Sequence, residues 1–123
     1  NPVTIDIPEE PEPLGIRGVN VTPAIAQELN LNEARGVLVT SIVSGSPAER
    51  AGMRGATEIR EIEGEGIPVG GDVIIAVDGR SIRDNADAVA ILEQKNVGET
   101  IRFSVLRGSS VVDINIPIEP RRG

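Results

Sequence analysis

Runs of apolar residues along the chain predict a small β-rich domain. Strand candidates lie at 14–21, 36–43, 72–79, 100–107 and 110–118, where β-branched runs or strict alternation are bounded by turn residues. The last two are joined by Gly-Ser-Ser and form a predicted hairpin. Residues 54–69 are rich in glycine and charge, so we expect an excursion from the fold that can hold a small hairpin.

Short helices are predicted between these strands from their capping signals. Thr22 precedes a proline and an apolar stretch, and Ser46 with Glu49 forms a capping box. Asp84 can cap a helix over 85–95, whose apolar residues recur at helical spacing. The pattern as a whole predicts an α+β fold: a five- to six-stranded β-sandwich or partly open barrel with two or three short helices.

Composition narrows the chemistry that this domain can perform. The 123 residues suit one domain, and the core material is almost entirely aliphatic, with one Phe and no Trp or Tyr to stack on bases. The net charge of −7 argues against nucleic acid and anionic membrane as partners. The chain has no Cys and no His, which excludes disulfides, thiolate metal sites and histidine-dependent nucleophile systems within it.

The first 13 residues differ from the rest of the chain. They hold four prolines, four acidic residues and no basic residue. This composition predicts an extended linker with weak strand character at 3–7. The chain begins with an internal-looking sequence, and we expect the linker to follow a missing N-terminal domain.

Nucleotide and carboxylate chemistry find little support in the sequence. The glycine pattern that starts at Gly64 is one residue out of register with the dinucleotide fingerprint, and no Walker lysine follows it. Asp72 and Asp78 flank one strand, but Asp78 is better explained by an Asp-Gly turn. A cation site among the glutamates of 58–65 is conceivable, and a solvated acidic loop is the simpler explanation. We therefore predict no cofactor and no metal.

Leu14-Gly15-Ile16 offers a third possibility, which is peptide recognition. Glycine lets a loop turn its amide N–H groups toward an anion, and the flanking residues place apolar side chains beside it. Such a loop could hold a chain terminus while the peptide adds to the sheet as an extra strand. The alternative is that these three residues only begin a core strand, and the residues alone leave both interpretations open.

The order of four sequence blocks along the chain gives further information about the fold family. "PLGIRGVNVT", "RGVLVTSIVSGSPAERAGM", "GGDVIIAVDGRSI" and "VGETIRFSVLRGSSVVDINI" follow one another over residues 14–118. Together they resemble a PDZ domain, and more narrowly the PDZ domains of the HtrA (Deg) family of trypsin-like serine proteases. The strand order implied is the permuted, bacterial-type one, with the PDZ domain at 14–120.

The resemblance implies specific site residues. Pro13, Leu14, Gly15 and Ile16 match the carboxylate-binding loop, and the strand that continues through Arg17 and Gly18 would pair with a peptide.

The other wall of the implied groove would be the predicted helix over 85–95. Its residues Asn85 and Val89 occupy the positions that match the groove. Pro13 departs from the family pattern, which often has a large residue there, and the segment 54–69 is an insertion relative to shorter PDZ domains.

The resemblance also implies a function. The chain would be non-catalytic, because the family's catalytic residues lie in the protease domain. It would capture hydrophobic C-termini of unfolded or misassembled proteins for protein quality control, and would deliver them to the protease domain of the same chain or regulate that domain. The parent would be an extracytoplasmic homo-oligomer, periplasmic or at the cell surface. Alternatives are a docking or allosteric PDZ domain with an idle groove, or the PDZ domain of another protease or secretion component.

Overall fold

Strands and short helices form close to where the apolar pattern and the caps place them. The computed structural model describes residues 14–118, together with the backbone of 2–5. The strands within these residues are β1 Pro2–Ile5, β2 Ile16–Asn20, β3 Val37–Ile42, β4 Glu58–Ile62, β5 Glu65–Val69, β6 Val73–Val77, β7 Arg80–Ser81, β8 Thr100–Arg107 and β9 Ser110–Pro117. The helices are α1 Pro23–Glu28, α2 Pro47–Arg50 and α3 Asn85–Leu92.

The helix caps act as their sequences indicate. The side-chain oxygens of Thr22, Ser46 and Asp84 each accept a hydrogen bond from the backbone N–H three residues later, at 3.2, 3.3 and 3.0 Å. The capping box of α2 differs in one detail, because the Glu49 carboxylate accepts from the Gly45 N–H at 2.7 Å rather than from the cap residue itself. Helix α3 ends earlier than the predicted 85–95.

Nearly all strands join one antiparallel sheet. Its order is β1-β2-β3-β6-β8-β9, and β7 pairs with β6 beside this path; β4 and β5 form a separate two-stranded sheet. The α+β class is as predicted, but the described residues contain more strands than the expected five or six. The additional strands are β1, the two-residue β7, and β4 and β5, which form a hairpin within the segment 54–69.

Strand β3 separates two apolar clusters. Val37 and Val39 pack into the principal core, whereas Leu38 points to the opposite face. The second cluster is completed by α1 and by Ile62 and Val69 of the β4–β5 hairpin. The β4–β5 hairpin is therefore packed onto the domain as part of its fold.

A buried ion pair fixes the start of β6. Asp72 is 1% exposed, and the Arg107 guanidinium contacts its two carboxylate oxygens at 2.9 and 2.8 Å. The Arg54 N–H donates to the same carboxylate at 2.9 Å, and Arg107 also donates to the Gly52 carbonyl at 2.9 Å. The hydrogen bond to Asp72 raises the pKa of Arg107. Asp72 thus has a structural role that links β6, β8 and the end of α2.

The other end of β6 closes in a tight turn. Asp78 and Gly79 have φ values of 50° and 80°, as a type I′ turn requires. The Asp78 carboxylate accepts from the Arg102 N–H at 2.9 Å and pairs with Lys95 Nζ at 2.9 Å. Burial alone would raise the pKa of Asp78, but these hydrogen bonds outweigh burial and lower it. The predicted Asp-Gly turn is confirmed, and it anchors the segment that follows α3.

Candidate functional site

The loop before β2 is built around Gly15. This residue has a φ of +86°, and a Cβ there would collide with the side chain of Ser46. The Gly15 and Leu14 carbonyls accept from the N–H groups of Val43 and Ala48, at 2.9 and 3.1 Å. Among the described residues, the Gly15 N–H has no hydrogen-bond acceptor. The left-handed backbone and the tight fit explain why glycine stands between two large apolar residues.

The two apolar neighbours of Gly15 belong to the principal core. Leu14 is 1% exposed and Ile16 is 0% exposed. Their burial fits both interpretations of the tripeptide, since a side chain can fill the core and also form the inner wall of a pocket. Pro13, the first residue of the predicted loop, lies outside the described residues.

Strand β2 has neighbours along both edges. Its inner edge pairs with β3, with an irregularity between Arg17 and Gly18. At Gly18 a Cβ would collide with the Leu38 carbonyl, so the two backbones approach unusually closely there. The Thr40 hydroxyl adds a hydrogen bond of 3.2 Å to the Arg17 carbonyl.

The outer edge of β2 pairs with β1. The pairing is antiparallel, with Ile5 opposite Ile16, Val3 opposite Gly18 and Pro2 opposite Val19. Weak strand character was predicted for 3–7, of which 6 and 7 lie outside the described residues, but the apolar pattern did not indicate this partner. The edge that a peptide would use is therefore occupied by the chain's own N-terminal segment.

Helix α3 lies on the other side of β1, and Cα atoms of the two elements approach within 8 Å. Ala88 and Leu92 turn into the core, whereas Asn85 and Val89 are half-buried one turn apart. The Asn85 N–H donates to the Asn20 side chain at 2.9 Å, which ties the start of α3 to the end of β2. Asn20 is a contributor that the sequence did not single out.

Most of the predicted site residues lie on the elements that flank β1. Residues 14–18 belong to the loop and strand on one side of it, and Asn85 and Val89 belong to α3 on the other side. The Oδ1 atom of Asn85 is buried, and the structure gives it no hydrogen-bond partner. It is a polar acceptor that the described part of the chain does not satisfy.

The described residues show little sign of other chemistry. They contain no group of three or more side chains that could hold a metal ion. No helix in this part of the chain is long and apolar enough to cross a bilayer. The Ser46 hydroxyl accepts from the Glu49 N–H as the cap of α2.

Comparisons with known proteins agree with this architecture. Residues 13–118 match the family model described as PDZ domain. The putative serine protease HhoA of Synechocystis is 33% identical over 111 residues, which cover 84% of this chain and 24% of that protein. A probable periplasmic serine endoprotease, DegP-like, of Rhizobium meliloti is 30% identical over 105 residues, covering 85% of this chain and 18% of that protein. The chain thus spans about a quarter or less of these relatives.

Solved structures show the same fold. The HtrA-type protease AlgW with a tripeptide superposes with a TM-score of 0.66 at 24% identity, covering 93% of this chain and 33% of that one. The crystal structure of the HtrA3 PDZ domain bound to a phage-derived ligand gives 0.64 at 22% identity, covering 90% and 88%. With the family match and the relatives, these likenesses lead to one conclusion: the chain belongs to the PDZ domain family, and its relatives are HtrA/DegP-like serine proteases.

Proposed function

We propose that this chain is a non-catalytic peptide-binding module that captures hydrophobic C-termini. The terminal carboxylate would bind at the loop 13–16, the peptide would add as a strand beside residues 16–18, and Val89 would contact the last side chain. Asn85 would stand one turn further along the groove.

The observation that carries the proposal is the pairing of β1 with β2. It supports the view that the outer edge of β2 accepts an antiparallel strand between itself and α3. The left-handed Gly15, whose N–H has no acceptor among the described residues, supports an anion site at the end of that strand. The structures of AlgW with a tripeptide and of the HtrA3 PDZ domain with a phage-derived ligand are those of other proteins, and they support the proposal by analogy.

The affinity for one short peptide should be modest. Main-chain pairing and one filled pocket oppose the cost of ordering the peptide, so we expect a Kd in the micromolar range, about −8 kcal/mol. Aliphatic residues at the last position, Leu, Ile, Val or Ala, should bind best because the groove offers aliphatic walls.

The test is calorimetric titration with a Val-terminated decapeptide and with its C-terminal amide. The acid should bind at least tenfold more tightly, because only the acid carries the charge that the loop is proposed to hold. A control peptide that ends in Asp should bind weakly. Equal binding of acid and amide would remove the carboxylate from the proposal.

The presence of β1 also favours a second candidate, a docking or allosteric domain whose groove stays idle. In that case β1 would be a permanent strand and no peptide would enter. Absence of peptide binding, together with a change in the oligomeric state of the parent when the domain is removed, would favour this candidate.

We further propose that the parent is an HtrA-type serine endopeptidase that works outside the cytoplasm. The names of the relatives support this, including one named as periplasmic. The module would then present chain ends to, or regulate, a protease domain of the same chain in a homo-oligomer. Cleavage of casein by the purified 123-residue chain would contradict the non-catalytic assignment.

A further inference from the structure

We infer that the N-terminal segment Pro2–Ile5 is an internal competitor that occupies the peptide groove and must leave before an external peptide binds. This inference rests on the proposed peptide-binding function and adds a regulation to it. Its starting point is that β1 lies where an incoming strand would lie, along the outer edge of β2 and beside α3.

The direction of β1 is the one that a captured C-terminus would need. The pairing is antiparallel, and Ile5, its carboxyl-end residue, stands opposite Ile16 next to the proposed carboxylate loop. Pro2, at the other end, stands opposite Val19, further along the groove. A peptide whose terminal carboxylate reached the loop would run in this same direction.

The sequence of the segment resembles the ligand that we expect. Pro-Val-Thr-Ile ends in a branched aliphatic residue at the register position nearest the loop. One chemical feature is missing, because Ile5 continues into Asp6 and has no free carboxylate. The segment can therefore provide main-chain pairing but not the terminal charge, and an external C-terminus has that advantage over it.

The connection between β1 and β2 permits this occupancy within one chain. Ten residues, 6–15, join Ile5 at the end of β1 to Ile16 at the start of β2. Paired residues lie about 5 Å apart, whereas ten residues can span roughly 33 Å, so the linker is long enough for the chain to turn back. A tether of this length gives an effective concentration of about 1 mM.

Occupancy by the segment lowers the apparent affinity for every external peptide. The apparent Kd equals the intrinsic Kd divided by the fraction of open grooves. If the tethered segment binds with an affinity of about 0.1 mM, roughly one groove in ten is open, so removing the segment should tighten peptide binding about tenfold.

The experiment compares three forms of the chain: the full chain, a truncation that lacks residues 1–7, and the double variant Val3→Gly/Ile5→Gly. The glycine variant keeps the length and the Asp6 charge while weakening the strand, and it serves if the truncation fails to fold. The probe is the peptide Asn-Pro-Val-Thr-Ile with a free carboxylate, and its amide is the control.

We expect the acid to bind the truncation about tenfold, and the glycine variant severalfold, more tightly than the full chain. Hydrogen exchange should show protected amides in 3–5 of the full chain that lose protection when the peptide is added. Equal Kd values in all forms, with the acid still preferred over the amide, would overturn the internal competitor and leave the proposed function standing.

Two further outcomes would contradict the internal competitor. If no form binds the acid, both the proposed function and the internal competitor fail. If the peptide Kd of the full chain rises with protein concentration, the segment is exchanged between copies, and occupancy within one chain is wrong.

Discussion

The two edges of strand β2 pair with different kinds of partner. The inner edge pairs with β3 from Ile16 to Asn20, and its fit is so close that Gly18 has no room for a side chain against β3. The outer edge pairs with four residues of β1, a segment joined to β2 by ten intervening residues. We use the word frame for the sheet from β2 through β3 and β6 to β8, together with the Asp72–Arg107 ion pair. We propose that β1, at the outer edge of β2, is exchangeable.

This difference suggests a physical role for β1 at the outer edge of β2. An unpaired edge invites association with other chains because its N–H and C=O groups have no partners. We propose that β1 covers this edge without supplying a terminal carboxylate, and that a ligand which adds that charge replaces it.

The largest effect is expected in the frame. Asp72→Ala should lower the free energy of unfolding by about 3 kcal/mol, because it leaves Arg107 without its carboxylate partner. This is the lower end of the range for buried pairs, since the Arg107 side chain is 26% exposed. Urea denaturation measures the change. The matched control is Glu58→Ala, which breaks the exposed Arg60–Glu58 pair and should cost at most about 0.5 kcal/mol.

The peptide affinity of folded Asp72→Ala protein should not change, because β3 separates Asp72 from β2 and the Asp72 carboxylate contacts Arg107 and Arg54 instead. A loss below about 1 kcal/mol would mean that the pair is not part of the frame as argued. A large loss of peptide affinity in fully folded Asp72→Ala protein would mean that the ion pair in the frame influences peptide binding.

The next prediction concerns the loop where frame and groove meet. Gly15→Ala should cost about 2 kcal/mol, because it combines left-handed strain with a collision against Ser46. It should also weaken binding of the Val-terminated acid more than tenfold. Gly45→Ala is the matched control: it has a φ of +77° but nothing within 4 Å of the added Cβ.

Gly45→Ala should therefore cost only about 1 kcal/mol and keep the peptide affinity. Thermal denaturation and calorimetric titration of both variants give the two readouts. The account of the loop would be wrong if the two alanine variants behaved alike in both measurements.

On the exchangeable side, Val89→Ala should weaken binding of the Val-terminated peptide about tenfold. The variant removes two methyl groups from the proposed pocket, which is worth roughly 1 to 1.5 kcal/mol. Val111→Ala is the control, since Val111 is 62% exposed on β9. Titration of both measures the effect, and equal affinities would place the pocket away from α3.

The smallest effect is a dependence of stability on pH. The folded-state pKa of Asp78 lies below its usual 3.8 despite the opposing effect of burial. Its stabilising contribution is therefore complete above the unfolded pKa of about 3.9 and is lost as pH falls through the lower folded value. Urea denaturation between pH 5 and the acid limit should show a loss of less than about 1 kcal/mol that Asp78→Asn abolishes. An unchanged acid slope in Asp78→Asn would contradict this contribution.

The sequence predicts the local part of this fold well. The caps at Thr22, Ser46 and Asp84 and the Asp78-Gly79 turn depend on neighbours in the chain, and each forms as expected. Helix α3 ends at Leu92, before its predicted end at residue 95. The apolar spacing alone did not indicate this earlier end. The PDZ resemblance came from the order of such local blocks.

The long-range contacts were not predictable in the same way. The pairing of β1 depends on an edge and a helix formed by residues far along the chain, and four residues carry too weak a pattern to indicate it. The hydrogen bond from Asn85 to Asn20 joins residues 65 positions apart. The sequence around Asp72 did not indicate its ion-pair partner, because Arg107 lies 35 residues away.

The most direct test of the central claim is a residue-resolved NMR titration of the truncation that lacks residues 1–7 with a Val-terminated peptide. The account predicts that the acid shifts the amide signals of Gly15, Ile16, Gly18 and Val89, and that the amide shifts them far less at equal concentration. Shifts that instead cluster around the 610 Å³ cleft lined in part by Leu31, Ile75 and Leu106 would contradict it.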